Sequence, residues 1–141
     1  MSGAGQAIAE AARAYLGVPF RLHGRGRAEG VDCVGLLGCA LAESGRAVAL
    51  PHGYGLRNLY PEGHLACFPA AGFLPLEQGS AVRAGDVLVV SPGPAQQHLL
   101  IALDGANFVH AHAGLRKVAL ATAPLPWPVR QHWRIDSASK G

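Results

Sequence analysis

The sequence lacks several features that define specialised classes of protein. It contains only three cysteines in 141 residues, an odd and sparse number that argues against a disulfide framework. No apolar run approaches the roughly 18 residues of a membrane-spanning helix, and the N-terminal stretch lacks the basic start and apolar block of a signal peptide. Charged residues make up 15% and hydrophobic residues 50%, which excludes a disordered chain. We therefore expect one compact domain over residues 1–141, made in the cytoplasm.

Positive charge is present but not concentrated. The net charge is +3, and only Arg21, Arg25 and Arg27 lie close together. The glycine-rich loop that holds them has no following Lys-Ser or Lys-Thr pair and no preceding strand, so it does not match a phosphate-binding loop. We expect no nucleic-acid partner, no nucleotide and no other cofactor.

Helical patterns occupy the first third of the chain, and strand patterns occupy the last. Residues 4–16 predict an amphipathic helix that ends at Gly17, and Asp32 predicts the N-cap of a second, apolar helix that ends at Gly45. Residues 46–81 are predicted to be a long excursion with at most one short helix at 61–67. Five strands are predicted after it: 85–90, 98–103, 107–113, 115–122 and 129–135. This order predicts an α+β domain with helices packed on an antiparallel sheet of about five strands.

Cys33 is the candidate nucleophile. A cysteine at the first position of a helix lies at the positive end of the helix dipole, which favours the thiolate. The backbone N–H groups at the same place are suited to hold an oxyanion. The alternative is that Cys33 is a small buried hydrophobic residue, as free cysteines often are. Cys39, on another face of the same helix, and Cys67 are expected to be structural.

A catalytic thiolate needs a base, and His98 begins a predicted strand after a glycine–proline loop. His110 and His112 lie on the next strand. An odd number of residues in the connecting loop, or a bulge, places His98 on the same face as these two, whereas a two-residue turn separates them. If the condition is met, one histidine pairs with Cys33 and another orients the first.

Three other interpretations remain open from the residues alone. Cys33, His98, His110 and His112 could bind zinc, although the sequence has no Cys-x-x-Cys pair and no His-Glu-x-x-His helix. His112 could replace His110 as the orienting residue. All three histidines could also be ordinary residues of the sheet.

Three blocks of the sequence resemble, in the same order, the NlpC-type cysteine peptidases, papain-like hydrolases of bacterial cell-wall peptides. The blocks are residues 11–37, 84–90 and 96–118. The resemblance implies that Cys33, in the block Asp32–Gly35, is the nucleophile. It also implies that His98 in HLLIAL is the base and that His110 in FVHA is the third polar residue. No metal is implied.

Three positions depart from the family pattern. Phe20 stands where the family often has a tyrosine, so no hydroxyl is supplied there, and His23 or backbone amides would have to replace that donor. Val34 replaces a serine, and Leu100 replaces a glycine next to the base. We expect Phe20, His23, Asp32 and Arg21 to border the substrate or oxyanion site, with the arginine loop facing the carboxylates of an acidic peptide.

Residues 120–135 resemble the phage branch of the same family, whose members are carried in phage tails or phage-like particles. The resemblance implies a peptidoglycan stem peptide as substrate, often cut after D-glutamate and before a diamino acid. It also implies tail or baseplate hub proteins as partners and delivery by the particle to the periplasm. The alternatives are a structural baseplate component with a degenerate peptidase fold, or an amidase or acyltransferase that uses the same triad.

Overall fold

The computed structural model describes residues 3–46, 71–93 and 98–136. Within these ranges the chain forms two helices and eight strands. In chain order the elements are α1 (Gly3–Arg13), β1 (Arg25–Gly26), β2 (Gly30–Val31), α2 (Cys33–Glu43), β3 (Phe73–Leu76), β4 (Val87–Val90), β5 (His98–Ala102), β6 (Asn107–His112), β7 (Lys117–Thr122) and β8 (Val129–Ile135). Neither helix is long and apolar enough to cross a membrane.

Helix α1 is amphipathic, as its sequence predicts. It buries Ile8, Ala9 and Ala12, which recur at helical spacing, against the rest of the domain. The helix ends at Arg13 rather than at residue 16, and a turn follows in which Gly17 has a positive φ. The apolar Tyr15 is still buried, because the turn continues along the same surface.

Helix α2 begins at Cys33, directly after its N-cap. The Asp32 side chain accepts a hydrogen bond from the Gly35 backbone N–H, which satisfies one of the free donors of the first turn. Most of the helix is buried, as its continuous apolar sequence predicts. Cys39 is half-buried against the core, and its Sγ donates to the Arg25 carbonyl oxygen at 3.1 Å.

Six strands form one antiparallel sheet in the order β3-β8-β4-β5-β6-β7, and β1 pairs with β2 in a separate hairpin. Successive side chains of a strand face opposite sides of a sheet. One side, which we call the helix-side core, packs Val87, Leu99, Ile101 and Val109 with α1 and α2. The opposite side carries a smaller group, the far-side cluster: Leu88, Val90, Leu100, Ala102 and Phe108.

The structure confirms the α+β class and adds elements that the sequence pattern did not predict. Strand β3 extends the sheet beside β8, although residues 46–81 were expected to be an excursion. Hairpin β1–β2 interrupts the predicted loop after α1. The short helix expected at 61–67 and Cys67 lie outside the described residues.

Candidate active site

A hydrogen bond across the sheet joins His98 and His110. His98 is the first residue of β5, and β6 pairs with β5 through Ile101–Val109 and Ala102–Phe108. This register leaves five residues, 103–107, in the connection. Five is odd, so the geometric condition set by the sequence is met and both rings lie on one face. Nε2 of His98 lies 2.9 Å from Nδ1 of His110, within hydrogen-bond distance.

Burial keeps both rings of this pair neutral at pH 7. Burial, together with the smaller electrostatic effect of the His110 and His112 rings, lowers the pKa of His98 to about 3. Burial likewise lowers the pKa of His110 to about 4, again assisted by His112. One ring therefore donates an N–H and the other accepts it. The pair can bind a proton only where a negative charge is close enough to stabilise it.

The ring of His112 hydrogen-bonds to the turn after β6, whereas a residue that orients the base would hydrogen-bond to His98. Nδ1 of His112 accepts the backbone N–H of Leu115 at 3.1 Å, in the turn between β6 and β7. Its ring centroid lies 5.1 Å from that of His110, in an edge-to-face arrangement. The hydrogen bond to His98 comes from His110, which favours His110 over His112 for the orienting role that the sequence left open.

Trp127 contacts both rings of the pair, and no sequence pattern indicated it. The indole centroid lies 6.1 Å from the His98 ring and 5.9 Å from the His110 ring. Trp127 lies between prolines in the segment that joins β7 to β8, where neither helical nor strand periodicity exists. A lone tryptophan between prolines gives no indication of what it covers.

Cys33 lies on the helix side of the sheet. It is 2% exposed and belongs to the helix-side core together with Leu99 and Ala111. These two residues follow His98 and His110 directly in the chain, and α2 packs against both β5 and β6. Helix α2 thus packs on the same two strands that carry the histidines, on the sheet face opposite to their rings.

Asp32 connects the helix start to the loop in front of it. One carboxylate oxygen accepts the Gly35 N–H at 2.8 Å and lies 3.3 Å from the Arg25 guanidinium. The other accepts the His23 backbone N–H at 2.7 Å. A buried carboxylate with three donors is well compensated. Asp32 is thus the residue that fixes the loop on the first turn of α2.

Two glycines allow this loop to touch the helix. A Cβ on Gly35 would lie 2.0 Å from the Gly24 carbonyl oxygen, so the loop backbone would have to shift to admit a side chain. A Cβ on Gly24 would lie 2.2 Å from the Gly30 carbonyl oxygen. The backbone of the arginine loop therefore lies directly against the first turn of α2 at Gly35.

The other predicted site residues lie around this loop. Phe20 is half-buried, bridges to Val31 and donates its backbone N–H to the Arg116 carbonyl oxygen at 2.9 Å. His23 has an exposed side chain and a φ of 64°, and Arg21 is exposed. Phe20 thus lies between the residues that precede Cys33 and the β6–β7 turn. Among the described residues, no group of three or more acidic, histidine or cysteine side chains is arranged to hold a metal ion.

Known proteins with the same fold are numerous among solved structures. The sequence model described as the NlpC/P60 family matches residues 17–125. NlpC1 from Trichomonas vaginalis is 18% identical with a TM-score of 0.68, and the match covers 92% of this chain but only 44% of that protein. The P60 domain of an antigen from M. avium subspecies paratuberculosis is 21% identical with a TM-score of 0.62, over 94% and 93% of the two chains.

A third similar structure is described as the peptidoglycan hydrolase RipB from Mycobacterium tuberculosis. It is 21% identical with a TM-score of 0.62, and the match covers 94% of this chain and 64% of RipB. No curated protein matches the chain at a significant level. At these identities the structural matches show a shared fold.

Proposed function

Because this chain belongs to the NlpC/P60 family, we propose that it is a cysteine peptidase that cleaves an amide bond in peptidoglycan stem peptides. The observation that carries the proposal is the part-buried hydrogen bond between His98 and His110, on the strands against which the Cys33 helix packs. A nucleophile, a base and an orienting group are the minimum set for thiol catalysis.

Catalysis needs one of the two tautomeric arrangements that this hydrogen bond allows. If His98 donates Nε2–H to Nδ1 of His110, its own Nδ1 carries a lone pair that can take the thiol proton. The reverse arrangement puts a proton on Nδ1 of His98 and removes the base. His110 in its Nε2–H form therefore orients His98 and selects the active tautomer, as a positioning residue of this kind does.

The reaction that follows is acyl transfer to the thiol. Cys33 gives its proton to Nδ1 of His98, and the thiolate attacks the carbonyl carbon of the substrate amide. The helix-start backbone N–H of Cys33 helps to hold the oxyanion, and His98 returns the proton to the leaving amine. Water, deprotonated by His98, then attacks the thioester and releases a carboxylic acid and the free thiol.

The proposed substrate class rests on membership of the family and on the positive charge of Arg21. RipB is described as a peptidoglycan hydrolase, and the usual family substrate is a stem peptide cut after D-glutamate and before a diamino acid. Arg21 is exposed beside the site and suits the carboxylates of such a peptide. Phe20 lies where the family often has tyrosine, so we assign the missing donor to His23 or to backbone amides.

Digestion of purified cell-wall sacculi tests the proposal. We expect wild-type protein to release peptide fragments whose masses identify a cut between D-glutamate and the diamino acid. Cys33→Ala should release none. Cys39→Ser is the matched control, because it changes the other described cysteine of the same helix and keeps a donor for the Arg25 carbonyl. Equal release by Cys33→Ala would contradict the proposal, and fragments from another bond would support the amidase or acyltransferase alternative.

A structural component with a degenerate peptidase fold is the second candidate. The replacement of the tyrosine hydroxyl by Phe20 favours it, because that side chain offers no hydrogen bond to an oxyanion. This candidate predicts an inert thiol at Cys33 and intact sacculi after prolonged incubation.

We further propose that the protein acts as part of a phage tail or phage-like particle, bound to hub proteins and delivered to the periplasm. Residues 120–135, which resemble the phage branch, support this proposal. Mass spectrometry of purified particles from the source organism tests it. We expect the protein to copurify with tail components, and its restriction to the cell lysate would contradict delivery by a particle.

A further inference from the structure

Residues 123–128, which we call the covering segment, lie over the side of the sheet that faces away from the helices. Its Leu125 and Trp127 pack against the far-side cluster. The segment therefore buries apolar side chains that α1 and α2 cannot reach. It gives this sheet a second, smaller core on the face that carries His98 and His110.

Trp127 packs against both rings of the histidine pair. Its ring plane stands at 82° to His98 and at 54° to His110, with centroid distances of 6.1 and 5.9 Å. The two imidazoles are themselves 5.1 Å apart. One indole thus contacts both partners of a single hydrogen bond.

Leu100 completes the surroundings of the pair. It lies two residues after His98 on the same face of β5, is 0% exposed, and belongs to the far-side cluster that Trp127 packs against. The sequence departs here from the family's glycine. The larger side chain does not project into solvent but fills the space beneath the covering segment.

We propose that Trp127 is a positioning residue for the base. Its indole covers the His98–His110 hydrogen bond and holds both rings in place, and Leu100 supports the indole from the side of the sheet. The inference deepens the proposed function and rests on it for its catalytic consequence. The physical reason is that water competes for the donor and acceptor of an exposed hydrogen bond. Excluding water strengthens the bond and fixes the orientation of both rings.

The electrostatics of the pair agree with this arrangement. Burial is the largest cause of the lowered pKa of both His98 and His110. His110 is 3% exposed even though it lies on the face away from the helices. Trp127, in contact with both rings, is the large apolar side chain that the covering segment places there.

Nuclear magnetic resonance of the histidine rings tests the inference without substrate, so its outcome is independent of peptidase activity. The imidazole nitrogens are titrated in wild-type protein, Trp127→Ala and Leu125→Ala. We expect Trp127→Ala to raise the midpoints of His98 and His110 by about one pH unit or more, because water then reaches the pair. Leu125→Ala, which shortens the other apolar side chain of the same segment, should leave them unchanged. Identical titrations of wild type and Trp127→Ala would overturn the inference.

Kinetics on a stem-peptide substrate then separate positioning from general structure. We expect Trp127→Ala to lower kcat about tenfold with little change in KM, since general-base catalysis contributes about 10²–10⁴-fold and the base is only misoriented. Trp127→Phe, which keeps an aromatic cover, should recover most of the rate. A loss of equal size in Leu125→Ala, or no rescue by Trp127→Phe, would contradict the assignment.

Two outcomes distinguish the inference from the proposed function. Shifted titrations together with a wild-type protein that cleaves no peptide would refute the peptidase function and support the role of Trp127 as the cover of the histidine pair. An active wild-type protein whose histidine titrations do not shift in Trp127→Ala would refute only the role of Trp127. If Trp127→Ala does not fold, Trp127→Leu replaces it in the titration, with the same two results.

Discussion

The neutral histidine pair makes a quantitative prediction about stability in acid. In the unfolded chain a histidine has a pKa of about 6.5, whereas in the folded protein His98 and His110 have values of about 3 and about 4. Below pH 6.5 the unfolded chain therefore binds protons that the folded protein refuses. Acidification favours unfolding, and the stability that the neutral pair contributes is present above pH 6.5 and lost as the pH falls towards 4.

The magnitude follows from proton linkage. Between pH 7 and pH 5, one such histidine lowers the free energy of unfolding by about 2 kcal/mol, and the pair lowers it by about 4 kcal/mol. A loss of this size is a large part of the total stability of a domain. Urea unfolding followed by circular dichroism measures it directly at the two pH values.

The double variant His98→Gln and His110→Gln isolates the effect, because glutamine keeps hydrogen-bonding groups but does not titrate. The other ionisable groups are the same in both proteins, so their contributions cancel in the comparison. We expect the double variant to lose about 4 kcal/mol less than wild type between pH 7 and pH 5. Equal losses in the two proteins would refute the description of the pair as buried and neutral.

Three further predictions concern the helix start and the chemistry of the site. Asp32→Ala should lower the free energy of unfolding by about 2 kcal/mol in urea titrations, since the N-cap and the loop contacts are lost together, and Asp32→Asn should recover part of it. Gly35→Ala should destabilise by about 1–3 kcal/mol in thermal unfolding because its Cβ would strike the Gly24 carbonyl, whereas Gly26→Ala, which meets nothing within 4 Å, should have a small effect. Peptide release should continue undiminished in a metal chelator, and loss of activity that zinc restores would support the metal interpretation instead.

The helix that carries Cys33 could be predicted because its signals are local. An aspartate in front of a continuous apolar run is sufficient to place an N-cap and a buried helix. The sequence placed His98 with His110 only on the condition that the connecting loop has an odd number of residues or a bulge. The sequence Asp104–Gly105 is also compatible with a two-residue turn, which would separate them. The structure has a longer connection, in which the Asp104 carboxylate accepts the N–H groups of Ala106 and Asn107.

The missed features depend on contacts between distant parts of the chain. Strand β3 contains Pro75, which argues against a strand by itself, but β3 is an edge strand and pairs only with β8 in the described sheet. Hairpin β1–β2 has two residues in each strand and is held by Asp32, which the local pattern does not reveal. Trp127 approaches the histidines through a segment without periodicity. Such features follow from tertiary packing rather than from propensity.

The reactivity of Cys33 with and without His98 tests the central claim most directly. The rate of alkylation by iodoacetamide is measured against pH, with mass spectrometry separating Cys33 from Cys39. An ordinary thiol ionises near pH 8.5. We expect Cys33 to react well below that pH in wild type and about tenfold or more slowly at pH 6.5 in His98→Gln, while Cys39 is unchanged. If Cys33 instead follows an ordinary thiol titration in both proteins, it is not the activated nucleophile and His98 is not its base.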